Sequence, residues 1–489
     1  MPAMPGPISP ATSAARAGLL ALAALLAMPG SVAAPPAPAA AAPVTGLPAA
    51  AAPAEPATPE AATAPIAGDP DAPPSPLDAD AAADLDWDQG PVSAAARRML
   101  DRVRGAVVRV RGFYGGNRAE AFHGTAFAVA PGGLLLTNYH VIARAALAPQ
   151  SYRLEYATND GGGGPLTILA VDVVHDLAIV RAADFAPAPI PLRTVIPDRG
   201  DRVYTVGYPL NLGLVITEGI GNGLLDRPFS PRLNYAGPMN PGMSGGPALD
   251  SRGRVIGVNV AFSTRGQLVS FLVPAEFVAP LVGRAASPLL PGGTRAEVAR
   301  QLEGHQARVL KALPARFPTQ VAAGYALPAE LAPFVDCTAI PGTPAVSSLL
   351  LQRVACRATV GLSVEPGLQT GDFEFSHAVL VTDGLHPLQF AEQLRHASAA
   401  APARWGSAEH VLGWSCRQSL VNLTRLQAAV VLCARRYRQY DDLYDLTLVV
   451  TSRNEPLRGF VSTATLRGVD FAAGLDFTRR YLEAMRWTR

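Results

Sequence analysis

Met239-Asn240-Pro241-Gly242-Met243-Ser244-Gly245-Gly246-Pro247 is the stretch from which the rest of the chain has to be read. A serine set among glycines can occupy a turn tight enough to hold its hydroxyl outward, because glycine tolerates backbone conformations that side chains forbid. Gly242 and Ser244 can then aim their backbone N–H groups at one point, which is what a developing oxyanion needs. Alone, such a run is equally a glycine-rich turn before a strand, so the upstream sequence decides between the two.

A serine hydroxyl attacks only when a base takes its proton and a third group holds that base in the right tautomer. Leu134-Leu135-Leu136-Thr137-Asn138-Tyr139-His140-Val141-Ile142 supplies the base: an apolar strand runs into a turn and His140 stands where strand gives way to loop. Val171-Asp172-Val173-Val174-His175-Asp176-Leu177-Ala178-Ile179-Val180 supplies carboxylates in Asp172 and Asp176. The order His, Asp, Ser is that of the chymotrypsin-like double barrel rather than of the subtilisin or α/β-hydrolase folds.

Gly124-Thr125-Ala126-Phe127, Thr137 to Ile142, Asp176-Leu177-Ala178, Val206-Gly207-Tyr208-Pro209, Asn240 to Pro247 and Phe271-Leu272-Val273-Pro274 follow one another along the chain. In that order they resemble the successive blocks of bacterial trypsin-like serine proteases of the HtrA/Deg type, over roughly Val92 to Arg284. The Asp-Leu-Ala match selects Asp176, leaving Asp172 and His175 as surface positions and His123 as structural or exposed. The resemblance therefore implies a triad of His140, Asp176 and Ser244, with Gly242 and Ser244 as oxyanion donors and a polypeptide as substrate. It also implies that substrate backbone pairs along Val258 to Phe262, with Val260, Ala261, Phe262 and Pro238 near the first specificity pocket. No acidic side chain stands at Pro238, so small or medium apolar side chains are the expected preference. Met243 departs from the Asn or Asp usual in the family at that place, and its side chain is expected to point away from the reacting carbonyl.

From its start, the chain offers Arg16 ahead of an apolar run from Ala17 to Met28, then Ser31-Val32-Ala33. About 12 apolar residues suit a secretory signal and fall short of the ~20 a membrane helix requires, so residues 1–33 are expected to be a signal peptide and the mature chain periplasmic or secreted. From Ala34 to about Pro76 the composition collapses to Ala and Pro with few large side chains to bury, an acidic patch from Asp78 to Asp88 follows, and residues 34–90 are expected to be a disordered spacer. Residues 91–285 are the expected protease domain. A helix capped by Ser93 and running to about Arg104, with Ala96, Met99, Leu100 and Val103 on one face, leads into short apolar runs broken by Gly, Pro and Asp, the signature of an all-β barrel or sandwich. Asp160 to Gly164 is expected to be a flexible loop tip.

Residues 290–489 form a different, α+β domain. Thr294 to Glu297 has the form of a capping box, followed by Val298, Leu302, His305, Val309 and Leu313 on one helical face, with His305 a packed core histidine. Strand-like runs follow, and a closing helix from about Asp470 to Met485 places Phe471, Leu475, Leu482 and Met485 on one side. Gly367 to Asp372 is similar to a block of PDZ domains, but the Gly-Leu-Gly-Phe type loop is missing upstream and the domain stays unassigned. All four cysteines lie here. In an exported chain an even count implies disulfides, and short loops favour Cys337 with Cys356 and Cys416 with Cys433.

Lys311 is the only lysine, and a net charge of +2 gives no case for nucleic acid. No cofactor or metal motif occurs. The expected fold is thus an all-β chymotrypsin-like double β-barrel followed by an α+β C-terminal domain. The expected function is that of a cell-envelope serine endopeptidase acting on unfolded or partly folded proteins. The alternative is a catalytically silent binding or chaperone-like protein on a protease fold. Self-assembly, as in relatives, and an envelope partner bound through the C-terminal domain are open roles for the remaining surface.

Overall fold

The β-branched runs punctuated by Gly and Pro between residues 107 and 274 fold into two antiparallel sheets. The computed structural model describes residues 94–489 except 211, 226–228, 263–267, 288, 290–292, 342–347 and 399–407, so the expected signal peptide, the spacer and the Ser93 cap lie outside the described residues. The first sheet holds β1 (Val107–Tyr114), β2 (Glu120–Ala130), β3 (Leu134–Thr137), β4 (Tyr152–Ala157), β5 (Gly163–Pro165), β6 (Thr167–Asp172) and β7 (Leu177–Arg181) in the order β5-β4-β1-β2-β3-β7-β6. The second closes into a barrel of β8 (Arg202–Gly207), β9 (Val215–Leu225), β10 (Arg232–Ala236), β11 (Pro247–Leu249), β12 (Val255–Phe262) and β13 (Ser270–Pro274). The expected pair of barrels is therefore one open seven-stranded sheet and one closed six-stranded barrel.

Helix α1 (Ala94–Val103) buries Ala96, Met99 and Val103 against the barrel, while Leu100 is only partly buried. Its Arg102 donates to the carbonyl of Arg252 at 2.8 Å. Two expectations fail for local reasons. Gly163 and Gly164 are not loop tip but the start of β5, because their backbones pair with Ala157 and Tyr156 of β4. Asn138 opens a helix, α2 (Tyr139–Leu147), rather than a loop, so His140 stands in a first helical turn. A short helix, α3 (Val278–Arg284), follows the barrel.

In α4 (Gly293–Lys311) the apolar stripe is as expected, with Val298, Leu302, His305 and Val309 buried. The capping box is not, since the helix already includes Gly293 and the Glu297 carboxylate accepts from Arg300 and Gln301 within the helix. Burial and the His305 Nε2 contact to the Val360 carbonyl at 2.8 Å make it a core histidine, its pKa pushed down to about 4 chiefly by burial.

The C-terminal strands are β14 (Thr319–Ala322), β15 (Tyr325–Pro328), β16 (Val335–Pro341), β17 (Leu349–Ala358), β18 (Leu362–Glu365), β19 (Leu368–Thr370), β20 (Phe373–Thr382), β21 (Ser415–Leu423), β22 (Leu426–Arg436), β23 (Tyr444–Ser452), β24 (Arg458–Val469) and β25 (Arg486–Trp487). Seven of them make an antiparallel sheet in the order β16-β17-β20-β24-β23-β22-β21. Helix α5 (Pro387–Ser398) packs through Phe390 and Leu394 on Leu349, Leu380 and Gly459. Helix α6 (Phe471–Glu483), capped by the Asp470 carboxylate on the Ala473 amide, packs against β23 and β24. Its buried face centres on Phe477 and Tyr481, with Phe471 and Leu475 only partly buried, because the aromatic side chains of β20, Phe373 and Phe375, meet it there.

Both expected disulfides form. Cys337 faces Cys356 across β16 and β17, and Cys416 faces Cys433 across β21 and β22. Each ties an edge strand of the seven-stranded sheet to its inner neighbour. The apolar core does not stop at the peptidase: Val298 and Leu302 of α4, Leu362 and Val364 of β18, and Tyr440 belong to the same cluster as Phe127 and Ile179. At about 1.5–3 kcal/mol for each large side chain removed from water, this shared core binds the two parts into one unit. Closing loops of 19 and 17 residues, each disulfide is worth about 3 kcal/mol on loop entropy. Cys337→Ser and Cys416→Ser should each lower unfolding free energy by about that amount, and in both variants the change should vanish when wild type is compared under reducing conditions.

Candidate active site

Asp176 occupies the turn between β6 and β7 with a φ of 63°, a left-handed conformation that Asp tolerates better than most side chains. From there one carboxylate oxygen accepts the His140 backbone N–H at 2.8 Å and the other lies 2.6 Å from His140 Nδ1. Asn138 Nδ2 donates to the Asp176 carbonyl at 2.8 Å, closing the same junction. One carboxylate thus satisfies an orphan amide at the start of α2, where the helix dipole favours negative charge, and fixes the imidazole orientation. Burial pulls the His140 pKa down most strongly, but the charge of Asp176 and its hydrogen bond outweigh it, so the imidazole sits above its ordinary 6.5.

The turn that holds Asp176 is itself held from outside. Gln301 of α4 donates to the Val171 carbonyl and accepts the Val173 N–H, both at 2.8 Å. Asp172 and His175, expected at the surface, are part of this framework: Asp172 is 7% exposed, accepts from the His175 amide and from Arg284, and His175 stacks on Phe277 with ring centres 3.8 Å apart. Burial alone would raise the Asp172 pKa, yet His175 and Arg284 hold it down at about 2. That ion cluster therefore stabilises the fold above the ordinary carboxylate range and loses its contribution as pH falls toward 2.

Ser244 lies in an irregular loop whose backbone groups find partners from both sheets. Thr125, fully buried on β2, donates from Oγ1 to the Gly242 carbonyl at 2.7 Å and from its amide to the Ser244 carbonyl at 2.9 Å. Asn259, fully buried on β12, donates to the Val206 and Met243 carbonyls at 3.1 and 3.2 Å, and its own carbonyl accepts the Gly245 amide. Gly242 and Gly245 have φ of 99° and 85°, and a Cβ on either would come within 2.3 Å of a backbone carbonyl oxygen, so both must be glycine. Met243 is fully buried among Val203, Leu233, Tyr235 and Leu272, where its side chain anchors the loop in the barrel core.

Among the described residues the Gly242 and Ser244 N–H groups donate to no protein acceptor, while those of Met243, Gly245 and Gly246 do. Ser244 Oγ lies 3.4 Å from the Val260 carbonyl, and no hydrogen bond joins it to His140. His140, Asp176 and Val260 line one cleft of about 390 Å³. A larger cavity of about 560 Å³ lies under α5, away from these groups. Pro238 is exposed and its carbonyl accepts from Thr217 at 3.0 Å. The side chains of Ala261 and Phe262 fall outside the described residues. His123 lies against Gly242, its pKa lowered by burial and by Arg109. Among the described residues no group of three or more His, Cys, Asp or Glu side chains is arranged to hold a metal ion.

A family model described as a trypsin-like peptidase domain matches residues 124–258. The chain carries a trypsin-like peptidase domain that is similar to those of HtrA-type serine proteases. It is 30% identical over 148 residues to a probable periplasmic serine endoprotease DegP-like of Chlamydia pneumoniae, covering 29% of each chain. To the mitochondrial serine protease HTRA2 of Drosophila virilis it is 30% identical over 185 residues, covering 36% of this chain and 42% of that one. A serine endoprotease from Yersinia pestis of known crystal structure aligns at 26% identity and a TM-score of 0.34, over 40% of this chain and 68% of that one. The chain thus spans less than half the length of these two curated relatives.

Thr125, Asn259 and Gln301 are the site residues that the sequence analysis left without a role. A buried Asn in the run Val258-Asn259-Val260 is a legible signal, since an amide in an apolar strand must find partners; Gln301, remote in sequence, offered none. The electrostatics of the peptidase domain give a direct test. The His140 imidazole followed by NMR should titrate above 6.5, and in Asp176→Asn, where burial remains but the carboxylate charge is gone, it should titrate below 6.5.

Proposed function

We propose that the chain is a serine endopeptidase in which Ser244 is the nucleophile, His140 the general base and Asp176 the group that orients it. Ser244 Oγ leaves the Val260 carbonyl by a rotation about χ1, gives its proton to His140 Nε2 and attacks a peptide carbonyl. The imidazolium formed is stabilised by Asp176, and the Gly242 and Ser244 amides take the oxyanion, each such donor being worth ~10²–10³ in turnover. One observation carries the reading: a carboxylate divided between the His140 imidazole and its amide, lining one cleft with Val260, whose carbonyl meets the hydroxyl of a serine loop with two unspent N–H groups.

The substrate we assign is an extended polypeptide, laid along β12 with a small or medium apolar side chain toward Pro238, as unfolded or partly folded proteins supply. Residues 91–285 constitute the protease domain and 290–489 the second domain in this account. An Arg16-led apolar run and fully paired described cysteines support action outside the cytoplasm. The engagement of Ser244 Oγ with Val260 favours, as second reading, a silent binding or chaperone-like protein.

Hydrolysis of unfolded casein separates the two. The protease reading predicts cleavage by the chain from Ala34 onward, none by Ser244→Ala, and a loss of ~10⁴ in turnover in Asp176→Asn. Its rate should fall with decreasing pH through a midpoint above 6.5, since only the neutral imidazole accepts the proton. Absence of cleavage by the unaltered chain at every pH favours the silent protein.

A further inference from the structure

The cleft beside His140 and Asp176 is not built by the peptidase sheets alone. Val173, Val174, Ser230, Arg232, Val260 and Phe271 line it from the peptidase part, and Gly361, Leu362 and Ser363 line it from the C-terminal part. Gly361 precedes and Leu362 and Ser363 open β18, which packs against α2, the helix that carries His140. Alternation along the strand sends Leu362 and Val364 into the shared apolar core and leaves Gly361 and Ser363 exposed. The segment is fixed in place: His305 meets the Val360 carbonyl at 2.8 Å, Leu368 of β19 joins the same core, and Arg295 of α4 donates to the Leu147 carbonyl at the far end of α2. A hairpin so anchored forms a standing wall rather than a lid.

Val260, whose carbonyl accepts from Ser244, also lines this cleft, so one residue connects the cleft to the nucleophile. A substrate running along β12 past Val260 would drop into it a side chain that lies N-terminal to the residue supplying the scissile carbonyl. About 390 Å³ bordered by three valines and Phe271, with Ser230 and Arg232 adding polar lining beside His140 and Asp176, has room for one large side chain in apolar contact, and Gly361 and Ser363 contribute little bulk of their own. We infer that Gly361 and Ser363, from the C-terminal part of the chain, are specificity-determining residues of the protease cleft, forming the outer wall of a subsite for a large apolar side chain. The inference rests on the protease reading and adds to it that substrate choice is written partly outside the peptidase domain.

The test compares cleavage profiles on a peptide library randomised on the N-terminal side of the cut, using the full chain, Ser363→Trp, the smaller Ser363→Leu in case Trp disturbs the hairpin, and Gln369→Arg. Gln369 is exposed on β19 and does not border the cleft. The unaltered chain should favour Leu or Phe over Ala at the subsite, and filling the wall should cut that preference by about tenfold or more while the preference at the residue supplying the carbonyl stays. Gln369→Arg should keep the original profile. An active chain whose profile is the same in both Ser363 variants, or in which all peptides slow equally, overturns the inference and leaves the protease reading intact. Failure of the unaltered chain to cleave any peptide overturns both.

Discussion

The loop from Gly242 to Gly246 cannot join a regular ladder and also keep two N–H groups free, so its carbonyls and remaining amides must be satisfied by something other than sheet partners. Thr125 on the first sheet and Asn259 on the barrel meet that need, and because they come from opposite sheets they also hold the two together at the serine. Leaving a buried carbonyl without its donor costs about 1–3 kcal/mol, so each clamp makes the loop geometry much more favourable than its alternatives. The glycines follow from the same constraint. Gly245 turns where a side chain would strike the Thr125 carbonyl, and Gly242 where it would strike that of Tyr208.

The other half of the site is organised by a single carboxylate. Asp176 joins a strand turn to a helix start, and its two oxygens serve different ends, one structural and one electrostatic. The turn in turn depends on Gln301 and on the Asp172, His175 and Arg284 cluster behind it. The second part of the chain is therefore structural support for the peptidase domain as well as a neighbour, and the common apolar core through Leu302, Leu362 and Tyr440 expresses the same dependence in packing.

Much of this was legible in the sequence where chemistry demands fixed residue types. Ser244 among glycines, His140 after an apolar strand and the paired cysteines carry constraints that survive without coordinates. The open first sheet, by contrast, is set by strand pairing, which no single segment encodes. Helix α2 was missed because an apolar Tyr-His-Val-Ile run reads as strand end, and only the Asp176 carboxylate at its start makes a helix favourable there. Asp172 and His175 were misread for a related reason: polar residues in an apolar run look solvent-facing until Arg284 and Phe277, distant in sequence, arrive to cover them. The true buried face of α6 depended on aromatic partners from β20 in the same way.

The central claim is that Ser244 sits in a preset oxyanion loop and needs only to turn toward His140. A crystal structure of the chain after reaction with a fluorophosphonate addresses it most directly. The account predicts phosphorus bonded to Ser244 Oγ, the phosphonyl oxygen within hydrogen-bond distance of the Gly242 and Ser244 amides, Oγ released from the Val260 carbonyl, and the loop backbone from Gly242 to Gly246 unchanged. An unreacted Ser244 still bonded to Val260, or an adduct whose phosphonyl oxygen reaches neither amide, would contradict it.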